Sequence, residues 1–465
     1  MKKGYAPKVG GLKLLVLGFF SLLLPKPGVA NPIPDSTLPM PTIVGCEGAN
    51  CTINGGTRAG SNLFHSFTRF SVPTGGSSYF NNDSQVANII SRVTGGAVSN
   101  IDGILKANGT ANLFLLNPNG IIFGTDARLD IGGSMIASTA SAIKFSDGTM
   151  YSATPANTPP LLTVNVPVGL QFGSNPGSIT VRGEGLGLRQ SLDPIDTTVG
   201  LHVPSNQTLA LVGGDVTLDG GTLKTAGGRI EVGSVGEQGF VTLTPIQKGW
   251  EISYDGVSVF KDIQLNNTAA IDATGLGGGD IQVRGRFLSL RNGSQIEAST
   301  LGARQGGNLI ITADDVQLSG RGVFGNRSAF FANVYPGASG TGGRMNIEAK
   351  RLRLEGGAFI QSIVFPSATG NVGDITINAG SLIAQDASQI STTTASSGRG
   401  GNISINANSV ELIGTDSRGI RTGLFLVTEG TGGAGNLTIN TEKLVVRDGA
   451  RASTSTRRGG SGGTF

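Results

Sequence analysis

From residue 275 onward, the sequence repeats a short unit that starts at a glycine-rich turn. Successive units lie roughly 30 residues apart, the period of a repeat architecture. In each unit, apolar residues alternate with polar ones, as at Ile403 and Ile405, and again at Val410 and Leu412 after a polar corner. The second glycine of each turn marks the register: Gly279, Gly307, Gly343, Gly373, Gly401 and Gly435.

Alternation with a period of two places one set of side chains inside and the other outside. A single unit has only short strands and cannot bury its apolar face, whereas stacked units can. We therefore predict an all-β fold, a right-handed parallel β-helix with an N-terminal β-rich cap. We expect the turn glycines to supply positive φ angles at sharp corners.

The pattern changes along the chain. The segment 31–147 is rich in phenylalanine and lacks the repeat, so we expect a cap with its own packing. The repeat stops at residue 465 within a unit, which suggests a truncated member of its class. The predicted organisation has four segments: a signal peptide at 1–30, the cap at 31–147, early irregular coils at 148–274 and regular repeats at 275–465.

Composition excludes several other classes. Glycine supplies 75 of the 465 residues and charged residues only 14%, which argues against long helices and charge-driven disorder. The net charge is +4 and aromatic residues make up 6%, without a basic patch that interleaves aromatics. We therefore expect no nucleic-acid partner.

The N-terminus reads as an export signal. Four lysines precede an apolar run at 14–24, and small residues then lead to a predicted cleavage site after Ala30. A transmembrane anchor is the alternative, but this run is too short to cross a bilayer as a helix.

The chain has two cysteines, Cys46 and Cys51, both after the predicted cleavage site. In an exported chain, this pair predicts one local disulfide. A metal site would need more ligands than the two histidines, His65 and His202, and these cysteines provide. We predict neither a metal nor a cofactor.

The sequence ANLFLLNPNGIIFG at 111–124 stands out within the predicted cap. The residue types of this segment predict a buried strand, a tight turn at 117–120 and a returning strand from Ile121. Pro118 presets the φ angle of the turn, and Gly120 can adopt a positive φ. On this interpretation alone, the segment is a well-formed turn.

These residues also resemble the secretion domain of filamentous haemagglutinin-like exoproteins, the passengers of two-partner secretion. That family carries an Asn-Pro-x-Gly-Ile motif, which stands here at 117–121. The similarity covers residues 35–147 closely, and SRVTGG at 91–96 is similar to the cyanobacterial-type branch. Further similar segments lie at 60–72, 88–96, 99–109 and 127–140.

The resemblance implies a mechanism. The chain would enter the periplasm unfolded, and periplasmic domains of a dedicated outer-membrane β-barrel transporter would recognise the secretion domain. The product would be secreted or cell-surface-bound in a Gram-negative-type cell, with an adhesin-like or structural role and with glycans or proteins as candidate ligands. The residues implied in secretion are Asn112, Leu113, Leu116, Asn117, Pro118, Asn119, Gly120 and Ile121.

Two other functions stay open. Parallel β-helices also form polysaccharide lyases and hydrolases, whose sites need converging carboxylates. Here the acidic residues are scattered, and Asp280 and Asp374 alternate with Asn308 and Asn402 at one position of the repeat, which favours a turn-capping role. We predict no catalytic residue. The other alternative is the stalk fragment of a contact-dependent toxin.

Overall fold

A computed structural model describes residues 31–154 and 160–465, together with Met1 and Gly4. These residues form 38 strands and no helix. No helix long and apolar enough to span a bilayer occurs in this described part. The predicted signal segment and its cleavage site at Ala30 lie outside the described residues.

The strands of the N-terminal part are β1 (Ile33–Pro34), β2 (Thr42–Glu47), β3 (Asn50–Gly55), β4 (Thr57–Ala59), β5 (Asn62–Arg69), β6 (Ser77–Phe80), β7 (Asn88–Val93), β8 (Ser99–Ile101), β9 (Ile104–Ala107), β10 (Asn112–Leu116), β11 (Ile121–Phe123), β12 (Arg128–Asp130), β13 (Met135–Ser138), β14 (Ala142–Phe145), β15 (Met150–Ser152), β16 (Pro167–Phe172), β17 (Ile179–Arg182), β18 (Leu201–His202), β19 (Thr208–Gly213), β20 (Val216–Asp219), β21 (Thr222–Lys224) and β22 (Arg229–Ser234).

The remaining strands are β23 (Gly239–Ile246), β24 (Gly249–Gly256), β25 (Asp262–Asn266), β26 (Ala270–Asp272), β27 (Asp280–Arg291), β28 (Gln295–Glu297), β29 (Asn308–Ser319), β30 (Ala329–Phe331), β31 (Arg344–Glu355), β32 (Phe359–Val364), β33 (Ile375–Gln385), β34 (Gln389–Thr394), β35 (Ile403–Ile413), β36 (Gly423–Thr428), β37 (Leu437–Arg447) and β38 (Arg451–Thr456).

The regular repeats stack as parallel coils, which confirms the predicted parallel β-helix. The long strands β27, β29, β31, β33, β35 and β37 pair in register, and a nine-stranded sheet ending in β36 and β38 forms another side. Ile405 pairs with Ile377 in one neighbouring coil and with Ile439 in the other. The two alternating runs of each repeat form one continuous strand rather than two, because the chain passes the polar corner without leaving the sheet.

Glycine is required at the repeated positions for a different reason from the one we expected. None of the six has a positive φ angle. Instead, a methyl group on Gly307 would overlap the carbonyl oxygen of Gly279, and one on Gly401 would overlap that of Gly373. Glycine is required here because the backbones of successive coils approach each other too closely for a side chain.

The coils begin earlier than the repeat indicated. Parallel pairing starts between β5 and β7 and continues through β10, β13, β19 and β22 into β27. The segment 31–147, which we expected to be a cap without this pattern, therefore contributes coils of its own. Only the strands before β5 close the end: β1 and β4 both pair antiparallel with β5 and cover its free edge.

An antiparallel sheet of strands β14, β15, β16, β23 and β24, here called the cover sheet, packs on the outer face of these early coils. Phe114 and Trp250 meet edge to face across this contact, with ring centroids 5.3 Å apart. Both faces of β5, β7, β10 and β13 are consequently buried. Their sequences lack alternation because neither face meets water.

The two cysteines face each other in the hairpin of β2 and β3. The structure joins Cys46 and Cys51 in a disulfide, as predicted. The hairpin continues through β3 into a second five-stranded sheet with β6, β9 and β12. The disulfide therefore fixes the outermost turn of this sheet.

Candidate functional site

Strand β10, which leads into the 117–120 turn, lies in the middle of the early coils. It pairs in parallel with β7 on one side and with β13 on the other. Leu113 packs inside the β-helix, whereas Phe114 and Leu116 pack outward beneath the cover sheet. The strand is thus part of the core, and none of these three side chains is open to solvent.

Asn112 starts this strand as one member of an asparagine ladder. Its side-chain amide donates to Asn88 Oδ1 at 3.0 Å, and Asn88 in turn donates to Asn62 Oδ1 at 2.9 Å. The Oδ1 atom of Asn112 accepts the backbone N–H of Ser134 at 2.9 Å. The side chain therefore links three successive coils at one corner.

The 117–120 segment forms a hydrogen-bonded turn in which the Gly120 N–H donates to the Asn117 carbonyl at 3.1 Å. The side chain of Asn117 is fully buried, and its amide and its Oδ1 atom all have hydrogen-bond partners. Its amide donates to the Ala97 carbonyl and to Ser99 Oγ, both at 2.9 Å, and its Oδ1 accepts the Asn119 N–H at 3.0 Å. Gly120 has a φ of 126°, as the turn prediction required.

The preceding coil holds the turn from one side. The Asn119 amide donates to the Gly95 carbonyl at 2.8 Å. The backbone N–H of Ser99 donates to the Gly120 carbonyl at 3.1 Å. The bond to Gly95 connects the turn directly to the SRVTGG segment at 91–96.

The following coil holds the turn from the other side. The Gly177 N–H donates to the Pro118 carbonyl at 2.9 Å, and the Ile121 N–H donates to the Ser178 carbonyl at 3.0 Å. A methyl group on Gly177 would overlap the backbone of Asn119. Residues beyond 147 are therefore needed to complete this corner.

The structure brings the eight predicted residues into one continuous strand and turn, but it exposes few of them. Asn119 is exposed and Pro118 is half-buried, while Asn117, Gly120 and Ile121 are buried. A partner that meets the folded domain can contact Pro118 and Asn119. Asn112 is also half-buried, and the remaining residues are accessible only in the unfolded chain.

Sequence reasoning missed a cluster of buried charges beneath the loop at 183–200. Arg189 Nη2 lies 2.8 Å from Asp272 Oδ2, and Lys224 Nζ lies 3.3 Å from the same oxygen and also pairs with Asp196. Glu297 accepts the Tyr335 hydroxyl at 2.8 Å, and burial together with Asp272 raises the pKa of Glu297 to about 7. Asp196 and Asp272 are 76 positions apart, and Glu297 follows 25 positions later, so no local sequence pattern indicates the cluster.

These carboxylates are unsuited to contact with a polysaccharide. The side chains of Asp196 and Lys224 have no exposed surface, and those of Arg189 and Asp272 are each 3% exposed. Another buried carboxyl, that of Glu231, lies outside this cluster and pairs with Arg229 beneath the cover sheet. Burial raises the pKa of Glu231 to about 8. Among the described residues, no group of three or more His, Cys, Asp or Glu has an arrangement that could hold a metal ion.

The alternating Asp and Asn position of the regular repeats has the turn-capping role that its exchange indicated. Asp280 Oδ1 accepts the backbone N–H of Asn308 at 2.9 Å, in the next coil. Asp374 Oδ1 accepts that of Asn402 at 2.8 Å, and Asn402 Oδ1 accepts that of Asn436 at 2.9 Å. Each side chain therefore caps the turn that follows it in the stack.

The solved structures that are similar to the chain include two secretion domains. The secretion domain of HMW1 from Haemophilus influenzae shares 16% sequence identity with a TM-score of 0.49, over 87% of this chain and 97% of that one. The filamentous hemagglutinin secretion domain shares 14% identity with a TM-score of 0.35, over 92% and 100% of the two chains. No curated protein matches the chain in sequence.

The family model of the TPS secretion domain matches residues 30–283, which are more than half of the chain. The match includes the 117–121 turn, the coils that hold it and the cover sheet. It is a family of secretion domains and not of enzymes. The chain therefore belongs to the TPS family, whose exoproteins pass through the periplasm and across the outer membrane by two-partner secretion.

Proposed function

We propose that the strand at 112–116 and the turn at 117–121 form the secretion determinant, which periplasmic domains of a dedicated outer-membrane β-barrel transporter recognise. The observation that carries this proposal is the accessible tip of the turn, exposed Asn119 beside half-buried Pro118, while hydrogen bonds join the turn to both neighbouring coils. A rigid tip presents its donors and acceptors with little loss of entropy on binding.

We propose that the secretion-competent unit comprises the core at 31–147 together with the irregular coils at 148–274. Gly177 and Ser178 complete the turn, and β16, β23 and β24 cover the outer face of β10. The regular repeats at 275–465 then form the exported passenger. Their folding outside the cell, one coil on the next, would oppose backward movement.

The turn is tested by replacing Asn119 and Gly120 together with alanine and co-expressing the variant with the cognate transporter. The expected result is retention in the periplasm. Asn402→Ala is the control, because Asn402 lies at an exposed corner of the regular coils. Export of the double variant at the level of the control would contradict the proposal.

A folding defect must be separated from a recognition defect. Gly120→Ala strains a residue with a φ of 126°, whereas Asn119→Ala removes an exposed side chain that donates to the Gly95 carbonyl and to Asn117 Oδ1. If the transporter reads the tip, Asn119→Ala alone lowers export although its melting temperature stays near that of the unmodified chain. Normal export by Asn119→Ala, with loss only for Gly120→Ala, would reduce the turn to a structural role.

We further propose an adhesin-like or structural role for the exported chain, with cell-surface or matrix glycans or proteins as ligands. The support is the long outer face of the regular coils, which carries polar side chains at alternating positions and no cover. Binding of the purified chain to immobilised glycans and matrix proteins tests this role. An absence of binding to either class would leave a structural role in its place.

A further inference from the structure

One corner of the regular coils carries an apolar tip that nothing in the fold covers. Between β29 and β30, the chain extends outward in a hairpin at 320–327. Val323 is 91% exposed and Phe324 is 78% exposed at its end. The equivalent corner of the next coil is only a short turn at 356–358, so the hairpin stands above its neighbour.

Backbone hydrogen bonds define the conformation of this hairpin. Arg321 and Arg327 form an antiparallel bridge at its base. The Gly322 N–H donates to the Asn326 carbonyl at 2.8 Å, and the Gly325 N–H donates to the Gly322 carbonyl at 2.9 Å. The two apolar side chains at the tip are therefore held outward by backbone hydrogen bonds.

The base of this hairpin is positively charged. Arg327 lies over the ring of Phe359 and donates to the Gly357 carbonyl at 2.7 Å, while Arg321 converges on the same glycine. In the part of the chain that the structure describes, neither arginine has a carboxylate within ion-pair distance. Burial, Arg321 and the nearby Arg418 lower the pKa of Arg327 to about 10, so the guanidinium stays charged at neutral pH.

A second hairpin extends from the same corner three coils further on. It spans 414–422 between β35 and β36, with an antiparallel bridge between Thr415 and Arg421. At the spacing of neighbouring strands, the two hairpins are roughly 14 Å apart. Arg418 and Arg421 add positive charge to the corner, with Asp416 as the partner of Arg418.

We propose that this corner docks on an anionic lipid surface, with Val323 and Phe324 inserted among the lipid chains and the arginines paired with headgroup phosphates. Apolar side chains flanked by Arg are the combination that binds at a lipid interface. Guanidinium groups pair well with phosphate oxygens. A soluble acidic polysaccharide offers the same charge but no apolar layer, so the exposed Phe324 ring favours lipid.

The test is flotation of the full mature chain with vesicles of phosphatidylcholine, with or without phosphatidylglycerol. Binding is expected only with the anionic lipid, and weaker binding is expected at high salt. Replacing Val323 and Phe324 together with serine should weaken it at least ~10-fold, the scale of burying one such ring. The matched control is Leu161→Ser with Val164→Ser, two residues that are 72% and 65% exposed on another loop.

A second variant reports insertion directly. Trp250 is 4% exposed, so its emission should not change on addition of vesicles. Phe324→Trp keeps an apolar tip and should give a blue shift with anionic vesicles only. The proposal is overturned if the serine variant floats like the unmodified chain, if neutral vesicles bind equally well, or if dextran sulfate binds both variants equally while vesicles bind neither.

Discussion

The early coils and the regular coils share one ladder but differ in what lies outside it. One row of outward-facing residues runs from Phe114 through Ile136 and Ala210 to Glu231, beneath the cover sheet. The same row then continues through Gln282, which still donates to the Ile252 carbonyl at the edge of the cover sheet, to Ile310 beyond it. The row changes from fully buried to partly exposed without a change of fold.

The hydrophobic pattern along a strand depends on which of its faces meet water. Alternation appears where one face of a strand meets water, as in β29 and β35, and disappears where both faces are packed, as in β7 and β13. A period of two therefore reports the exposure of the second face rather than the presence of a coil. The change near 275 from irregular coils to regular repeats therefore follows the end of the cover sheet at Gly256.

The largest effect expected from this comparison follows removal of one side chain from each part of the row. Phe114→Ala should lower the free energy of unfolding by about 3–5 kcal/mol, because it leaves a cavity against Trp250. Ile310→Ala, in the same row beyond the cover, should cost about 1 kcal/mol or less. Guanidinium unfolding followed by circular dichroism measures both. Equal losses would mean that the cover sheet adds little to the early coils.

The sequence predicted the parts of the fold that depend on local or periodic signals. The glycine register, the inward Ile and Leu residues and the Asn117–Gly120 turn all leave such signals. The prediction that the repeated glycines adopt positive φ angles was wrong, because a sequence pattern does not distinguish a positive φ from close contact between coils.

The bonds of the candidate site could not be predicted in the same way. Asn117 bonds to Ala97 and Ser99, and the turn also needs Gly177, which lies far along the chain. The burial of the motif depends on strands β23 and β24, which no local pattern connects with it. Each of these contacts joins segments whose proximity exists only after the coils have stacked.

Buried and exposed carboxyls of the coils should also differ in their contribution to the pH dependence of stability. The pKa of Glu297 is about 7 in the folded chain, above the ordinary value of about 4.3 in an unfolded one. Between these values, the folded chain retains a proton that the unfolded chain has lost. Stability is therefore greatest below the unfolded value and falls as the pH rises towards 7, by at most about 1.4 kcal/mol per pH unit.

The measurement is the free energy of unfolding of Glu297→Gln minus that of the unmodified chain, at several values between pH 5 and pH 8. Glutamine can still accept the Tyr335 hydroxyl, so the difference should rise with pH. Glu231 and His65, whose pKa values are also shifted by burial, contribute equally to both chains and cancel. Glu348→Gln, at an exposed position of a regular coil, is the control and should show a flat difference. A flat difference for Glu297→Gln would show that this carboxyl ionises as it does in water.

The smallest expected difference in stability is between alanine variants of two asparagines at corners of the β-helix. Asn117→Ala leaves the buried Ser99 Oγ and the partly buried Ala97 carbonyl and Asn119 N–H without their partner, so it should cost about 2 kcal/mol. Asn402→Ala removes a cap on the Asn436 N–H, but water can replace it at this exposed corner, and the cost should be about 0.5 kcal/mol. Thermal unfolding of the two variants compares them directly. The corner at 117–120 is distinct from the repeated corners because its Asn117 side chain is fully buried, and an equal cost for both asparagines would contradict that distinction.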